Sequence, residues 1–104
     1  MRKLSAVIIT FNEARNIKRC IESLQEVADE IVVVDSLSTD KTKEICSQYN
    51  VKFIEQKFLG HIQQKNFAKS KANYEYILSL DADESVTPAL ESEILKIKQN
   101  CQYD

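Results

Sequence analysis

Four short apolar runs alternate with amphipathic stretches along the chain. Residues 4–10 (LSAVIIT), 31–35 (IVVVD), 51–55 (VKFIE) and 76–80 (YILSL) are rich in branched and aromatic side chains, which predicts strands. Their nearly continuous apolar character suits strands buried on both faces. Between the first two, Ala14, Ile17, Cys20, Ile21 and Leu24 recur at helical spacing, with Asn12 placed to cap that helix. Ile45, Cys46 and Tyr49 repeat the pattern after the capping pair Thr39-Asp40, and Asn50 predicts a left-handed stop. A third helix is expected from near His61 to Ala72 on a thin stripe of Ile62, Ala68 and Ala72. For the last helix, Thr87 serves as cap, Pro88 suits the first turn, and Leu90, Ile94, Ile97 and Cys101 form one face.

Strands that alternate with helices pair in parallel through right-handed crossovers. The fold class expected is therefore α/β: an open, mainly parallel sheet with helices on both faces. No repeat, low-complexity stretch or Pro/Gly-rich linker interrupts it, so residues 1–104 read as a single domain. Ligands of such sheets bind beyond the carboxyl ends of the strands. Three segments fall there: Thr10-Phe11-Asn12-Glu13, Asp35-Ser36 and Asp81-Ala82-Asp83-Glu84.

Charge and cysteine usage narrow the choice of partner. A formal net charge of -2 gives no electrostatic footprint for nucleic acid. The 3 cysteines are widely separated and form no Cys-x-x-Cys pair, so they read as reduced core thiols. No apolar run approaches the roughly 20 residues needed to span a bilayer. A cytoplasmic location is expected, with docking at the inner face of the membrane left open.

The one glycine, Gly60, excludes both the Gly-x-Gly-x-x-Gly turn and the Gly-rich phosphate loop. Carboxylates and a metal are the remaining way for this sheet to hold a nucleotide. Asp81 and Asp83 lie two residues apart, which puts both on one side if the extended geometry persists. Their mutual repulsion is relieved by a hard divalent cation, which one or two carboxylates can hold while phosphate and water complete the shell. Taken alone, an Asp-x-Asp after a strand is better explained as a pair of turn acids. Asp35 has the same two readings, turn acid or acceptor for the imide nitrogen of a base. Thr10 and Asn12 offer small polar groups, Phe11 a ring beside which a base could lie, and Glu13 a partner for a ribose or base. His61 reads as a loop or helix-start residue. Gln63, Gln64, Lys65 and Asn66 could reach a ribose or diphosphate, whereas Lys69 and Lys71 suit a solvated face.

Taken in order and spacing, AVIITFNE (residues 6–13), IVVVDSLSTDKT (31–42), Lys65-Asn66 and LDADE (80–84) closely resemble glycosyltransferase family two. The likeness covers nearly the whole chain and is greatest to bacterial enzymes that extend lipopolysaccharide core or other surface glycans. It implies a GT-A nucleotide-binding fold, a nucleotide diphosphate sugar as donor, uridine as base, inversion at the anomeric carbon and a glycan or lipid-linked acceptor. Carried over by position, Thr10, Asn12 and Glu13 would line the base and ribose pocket and Asp35 would receive the base, with Phe11 and Ser36 among the donor-binding residues. Lys65 would stand where many relatives use arginine, beside Asn66. Asp81 would approach the ribose, Ala82 would lie in the donor-binding site, and Asp81 and Asp83 would hold Mg²⁺ or Mn²⁺. The acceptor region and the catalytic base are expected beyond Asp104, so no catalytic residue is assigned and this chain alone is expected to transfer little sugar. In the full family fold later strands cover one side of this sheet, so an edge is expected to be exposed here, for which a homodimer is the expected remedy. The alternatives are a non-catalytic sugar-nucleotide binding module and a haloacid-dehalogenase-type phosphatase built on Asp81-Ala82-Asp83-Glu84-Ser85. A receiver-type signalling domain fits poorly, because Asn12-Glu13 is not its acidic pair and Glu55-Gln56 offers no phosphorylatable Asp.

Overall fold

The computed structural model describes residues 2–99. Strands and helices alternate: β1 (Leu4–Thr10), α1 (Ile17–Leu24), β2 (Glu30–Asp35), α2 (Thr42–Cys46), β3 (Lys52–Glu55), α3 (His61–Ser70), β4 (Tyr76–Asp81) and α4 (Pro88–Gln99). All strand pairs are parallel and the sheet order is β3-β2-β1-β4. The α/β class, with helices on both faces, is as expected.

Alternation along the inner strands divides the core in two. Ala6 and Ile8 of β1 and Ile31 and Val33 of β2 pack against Ile17, Cys20, Ile21 and Leu24 of α1, with Cys46 of α2 and Ile94 and Leu95 of α4. Val7, Ile9, Val32 and Val34 face the other way, onto Ala68 and Phe67 of α3. Fully burying a branched side chain of this size contributes about 1.5–3 kcal/mol, so β1, buried along its whole length, is the structural centre of the domain. Cys20 and Cys46 are free and buried, as core thiols should be; Cys101 lies outside the described residues.

Several helix details depart from the sequence expectation. Asn12 does not cap α1. It adopts φ 51, and residues 13–16 turn once before the helix, with the Glu13 carbonyl accepting from the Asn16 and Ile17 amides at 2.9 and 2.8 Å. Asn50 is not left-handed; Val51 N–H instead donates to the Tyr49 carbonyl at 2.9 Å, a tight turn that needs no positive φ at Asn50. Ile62 is 72% exposed, while Gln64 is fully buried in its place. On α4, Thr87 Oγ1 accepts from Leu90 N–H at 3.1 Å, as a cap should. Leu90 and Ile97 nevertheless stay exposed, and the helix turns Ile94, Leu95 and the aliphatic stem of Lys98 inward.

At the amino ends of the strands the polar groups are tied together. Lys98 Nζ donates to the Val27 carbonyl at 2.7 Å and to the Asp29 carboxylate at 2.8 Å, and Asp29 also accepts from Leu4 N–H at 2.8 Å. Glu30 accepts from Ser5 Oγ at 2.6 Å and from Asn73 N–H at 2.8 Å. These bonds fix where β1, β2 and α4 begin or end relative to one another.

The strand order sets the ligand end. From β1 the chain steps outward through β2 to β3, then α3 carries it back across the opposite face to β4 on the other side of β1. The carboxyl ends of β1 and β4 therefore flank the point where winding reverses, the usual crevice for a ligand in such sheets.

Candidate functional site

A cavity of about 240 Å³ occupies that crevice. Ile9, Thr10, Phe11 and Glu13 line it from the end of β1, Ser36 from the end of β2, and Asp81, Ala82 and Asp83 from the end of β4. Phe58, His61 and Gln64, from the loop before α3 and from α3 itself, close the remaining side.

At the end of β4 a turn, rather than continued extension, brings the two acids to one cavity. Glu84 N–H donates to the Asp81 carbonyl at 2.9 Å, and Glu84 Oε1 accepts from Asp81 N–H at 2.7 Å. Ala82 stays paired with β1 through its amide and the Ile9 carbonyl at 3.2 Å, and is 2% exposed. The small methyl of Ala82 thus forms the floor between two acidic side chains. Asp83 offers its carbonyl to Arg19 Nη2 at 3.2 Å and leaves its carboxylate exposed.

Two buried oxygens beside this floor have no hydrogen-bond partner: Thr10 Oγ1 and Asp81 Oδ1. Thr10 is 5% exposed. Asp81 is 44% exposed as a side chain, so one oxygen faces inward while the rest of the carboxylate meets solvent. Its nearest cation is Lys65 Nζ at 3.9 Å. At that distance and exposure the pair contributes about 0–1 kcal/mol and does not satisfy the oxygen. An unpaired buried oxygen costs about 1–3 kcal/mol, and two of them in one crevice mark it as a place for something the protein does not itself supply.

The walls behind the cavity are held by hydrogen bonds between two loops. Asn12 Oδ1 accepts from Thr39 N–H at 2.7 Å and Asp40 N–H at 3.3 Å, while Asn12 N–H donates to Ser38 Oγ at 2.7 Å. Asp40 accepts from Ala14 N–H at 3.1 Å and from the Thr42 hydroxyl at 2.6 Å. That hydroxyl bond, with backbone amides behind it, holds the Asp40 carboxyl below its usual range. Asp40 also accepts from Thr42 N–H at 3.0 Å and so braces the turn into α2, but the cap position is Lys41, which makes no side-chain cap bond, so neither Thr39 nor Asp40 is the cap expected from the sequence. Asp35 is 1% exposed, and its two oxygens accept from Ser38 N–H at 2.8 Å and Ser38 Oγ at 2.5 Å. Leu37, between them, adopts φ 62 with its side chain half exposed, an uncommon conformation for a bulky residue.

Of the residues singled out from the sequence, the cavity wall gathers Thr10, Phe11, Glu13, Ser36, Asp81, Ala82 and Asp83. Asn12 and Asp35 lie behind it as supports for the β2–α2 loop, Lys65 reaches only Asp81, and Asn66 is exposed on α3. Phe58 lacked any sequence signal of its own, and His61 appeared as no more than a helix start, which it also is. Its ring lies edge-on to Phe58 at 5.6 Å between centroids. Gln64, one of the polar residues that could reach a ribose or diphosphate, does line the cavity, but it is buried and its amide is bound within the protein. Beneath the floor, Cys20 Sγ sits 4.0 Å from the Asp81 carbonyl. Burial, with the negative charge of Glu84 added, pushes its thiol up to about 12, so it is not a nucleophile near neutrality.

Among the described residues no group of three or more His, Cys, Asp and Glu side chains is arranged to hold a metal. No described helix is long and apolar enough to cross a membrane.

Comparison with known proteins agrees with this geometry. The family described as Glycosyl transferase family 2 matches residues 5–103. A glycosyltransferase of Rickettsia felis is 47% identical over 94 residues, covering 90% of this chain and 33% of its own length. The lipopolysaccharide core biosynthesis glycosyltransferase LpsC of Rhizobium meliloti is 39% identical over 92 residues, covering 84% of this chain and 34% of its own. A crystal structure of S. aureus TarS in complex with UDP-GlcNAc superposes with a TM-score of 0.73 at 26% identity, over 93% of this chain and 31% of that one. The chain thus spans about a third of the length of each of these three relatives.

Proposed function

The chain belongs to glycosyl transferase family 2, and on that premise we propose that it is the part of a glycosyltransferase that binds a nucleotide diphosphate sugar, with uridine as the base. The observation that carries this reading is the cleft at the β1/β4 crevice, with the unpaired oxygens of Thr10 and Asp81 in its wall. Buried polar atoms are nearly always paired, so a ligand rich in hydroxyls and phosphate oxygens, one that also carries a cation, is the natural complement. The Thr10 hydroxyl can donate to the ligand, Phe11 and Phe58 offer apolar faces to a base or sugar ring, and Glu13 can accept from a ribose hydroxyl. The likeness to TarS, solved with UDP-GlcNAc, supports the choice of donor.

Asp81 and Asp83 fit a divalent cation, Mg²⁺ or Mn²⁺. Two carboxylates on one floor, one with an orphaned oxygen, suit an ion whose remaining positions go to phosphate and water. Bound there, the cation would neutralise charge on the diphosphate as it leaves. In the transfer itself, an acceptor hydroxyl forms a bond to the anomeric carbon as the bond from that carbon to the diphosphate breaks, which inverts the carbon, and the hydroxyl proton passes to a base. We assign the base and the acceptor site to sequence that the longer relatives possess and residues 2–99 do not supply. By likeness to LpsC the acceptor is a glycan or lipid-linked glycan, met at the cytoplasmic face of a membrane. The phosphatase alternative is set aside, since Asp81 closes an edge strand of a family 2 sheet.

Calorimetric titration with UDP, GDP, CDP and ADP, each with and without Mn²⁺ or Mg²⁺, tests this reading. UDP should bind, and more tightly with the metal. No binding by any nucleotide under either condition would end it.

A further inference from the structure

Gln64 is a full-length amide with none of its surface exposed, on a helix whose neighbouring apolar residue, Ile62, faces solvent. Burying an amide is unfavourable unless its hydrogen bonds are made, and here they are. Gln64 Oε1 accepts from Leu59 N–H at 3.1 Å, and Nε2 donates to Ser36 Oγ at 3.1 Å and to the Gln56 carbonyl at 3.3 Å. The orientation of the amide is determined by its partners, since the Leu59 N–H can only donate and the Gln56 carbonyl can only accept. One side chain therefore holds both ends of the loop between Gln56 and Leu59 and fastens it to the end of β2.

That loop has few other restraints. Gln56 N–H donates to the Asp35 carbonyl at 2.8 Å, and Gly60 begins α3 through its carbonyl and Gln64 N–H at 2.8 Å. Gly60 has φ 111, a conformation that strains any other residue, so the path into the helix favours glycine. Phe58 and Leu59 are about half exposed, so packing does little to fix them. Yet Phe58 and His61 form the cavity wall facing Asp81 and Asp83.

We propose that Gln64 is the positioning residue of the donor cleft: through Leu59, Gln56 and Ser36 it sets the distance between the Phe58–His61 wall and the acidic floor, and so sets donor affinity while its own amide is engaged within the protein. This rests on the reading of the cleft as a nucleotide diphosphate sugar site. Its chemical requirement is an amide. Glutamate at this position keeps the acceptor for Leu59 N–H but loses the donor to the Gln56 carbonyl; methionine keeps the volume and loses all three bonds.

The test uses the 104-residue chain with three variants, Gln64→Met, Gln64→Glu and Lys98→Met. Lys98 lies at the opposite end of the sheet, so its variant controls for lost stability alone. Two quantities are measured well below each Tm: hydrogen exchange at the Leu59 amide, and the Kd for UDP with Mg²⁺. Gln64→Met should exchange Leu59 at least about tenfold faster and bind UDP about tenfold more weakly, since small displacements of positioning groups are felt strongly. Gln64→Glu should retain Leu59 protection yet still weaken UDP binding, and Lys98→Met should change neither quantity. UDP affinity within about twofold of the unaltered chain in Gln64→Met, or an equal loss in Lys98→Met, would overturn the proposal. If the unaltered chain bound no UDP, the donor-site reading would fall by itself. Leu59 exchange would then decide alone whether Gln64 holds the loop: unchanged protection in Gln64→Met overturns that too.

Discussion

The two ends of the sheet treat buried polar groups in opposite ways. At the amino ends, Asp29, Glu30 and Lys98 each have at least two partners, and Leu4 N–H and Ser5 Oγ are bound as well. At the carboxyl ends of β1 and β4, Thr10 Oγ1 and Asp81 Oδ1 have no hydrogen-bond partner, and Lys65 approaches Asp81 no closer than 3.9 Å. Both ends belong to the same four strands, so the difference is not one of fold. One end uses its polar atoms to lock strands and α4 in place; the other keeps them open at some cost in stability, as sites reserved for a ligand do.

If that division is real, substitutions at the two ends should affect different measurements. The largest effect is expected from Asp83→Asn, which removes a charge from the floor while keeping its shape. The metal-dependent part of UDP binding should vanish, a loss of about 100-fold or more for a ligand held chiefly through its diphosphate, with Tm nearly unchanged. Unaltered metal dependence would remove Asp83 from the ligand role.

Lys98→Met should do the reverse. It leaves Asp29 without its cation, and because that carboxylate is still 30% exposed the loss is smaller than for a fully buried pair, about 2 kcal/mol. For a chain of this size that is roughly a 10 °C fall in Tm, with UDP affinity retained below the transition. The same contact has a pH signature. Burial works to raise the Asp29 pKa, but the Lys98 hydrogen bond and the Leu4 amide outweigh it, so the folded value lies below the usual one. A depressed folded pKa means stabilisation present in full above about pH 4 and lost as the pH falls through the folded value. Urea unfolding at pH 6 and pH 3 should therefore show a weaker pH dependence in Lys98→Met; an undiminished dependence would contradict the assigned role of the pair.

Thr10→Val sharpens the contrast on a smaller scale. Replacing a partnered hydroxyl by a methyl destabilises, whereas replacing an unpartnered one is neutral or stabilising by up to about 1 kcal/mol. Tm should hold or rise slightly while UDP binds roughly three- to tenfold more weakly. A clear fall in Tm would mean that the hydroxyl is satisfied within the protein after all. The smallest expected signal is at Cys20 and Cys46, whose thiols burial pushes up to about 12 and about 11. Neither should react with a thiol reagent at pH 8 until the chain is unfolded.

What could be read from the sequence was what depends on neighbours in the chain. Residues 4–10 match β1 from end to end, and the other strands agree within a residue at each end, because branched apolar runs flanked by polar residues have few other solutions. The two acids at the end of β4, Asp81 and Asp83, were legible for the same reason. The misses share a cause, which is that partners distant in sequence outweighed local preference. Asn12 looked like a cap for α1, but its oxygen is used by amides 27 and 28 residues away. Helical spacing favoured Ile62 as a core residue on α3, yet the buried side chain is Gln64, whose bond to Ser36 spans 28 residues. No periodicity encodes a bond of that range. Phe58 escaped notice because a lone aromatic in a polar loop gains meaning only when α3 folds back across the sheet.

The central claim, that the open end of the sheet is the donor site, is tested most directly by mapping amide chemical shifts of the isotope-labelled chain during titration with UDP and Mg²⁺. The account predicts saturable shifts concentrated at residues 10–13, 36, 58–64 and 81–84, with residues 2–5, 27–30 and 98 undisturbed. Shifts confined to the amino ends of the strands, or no saturable shift anywhere, would contradict it.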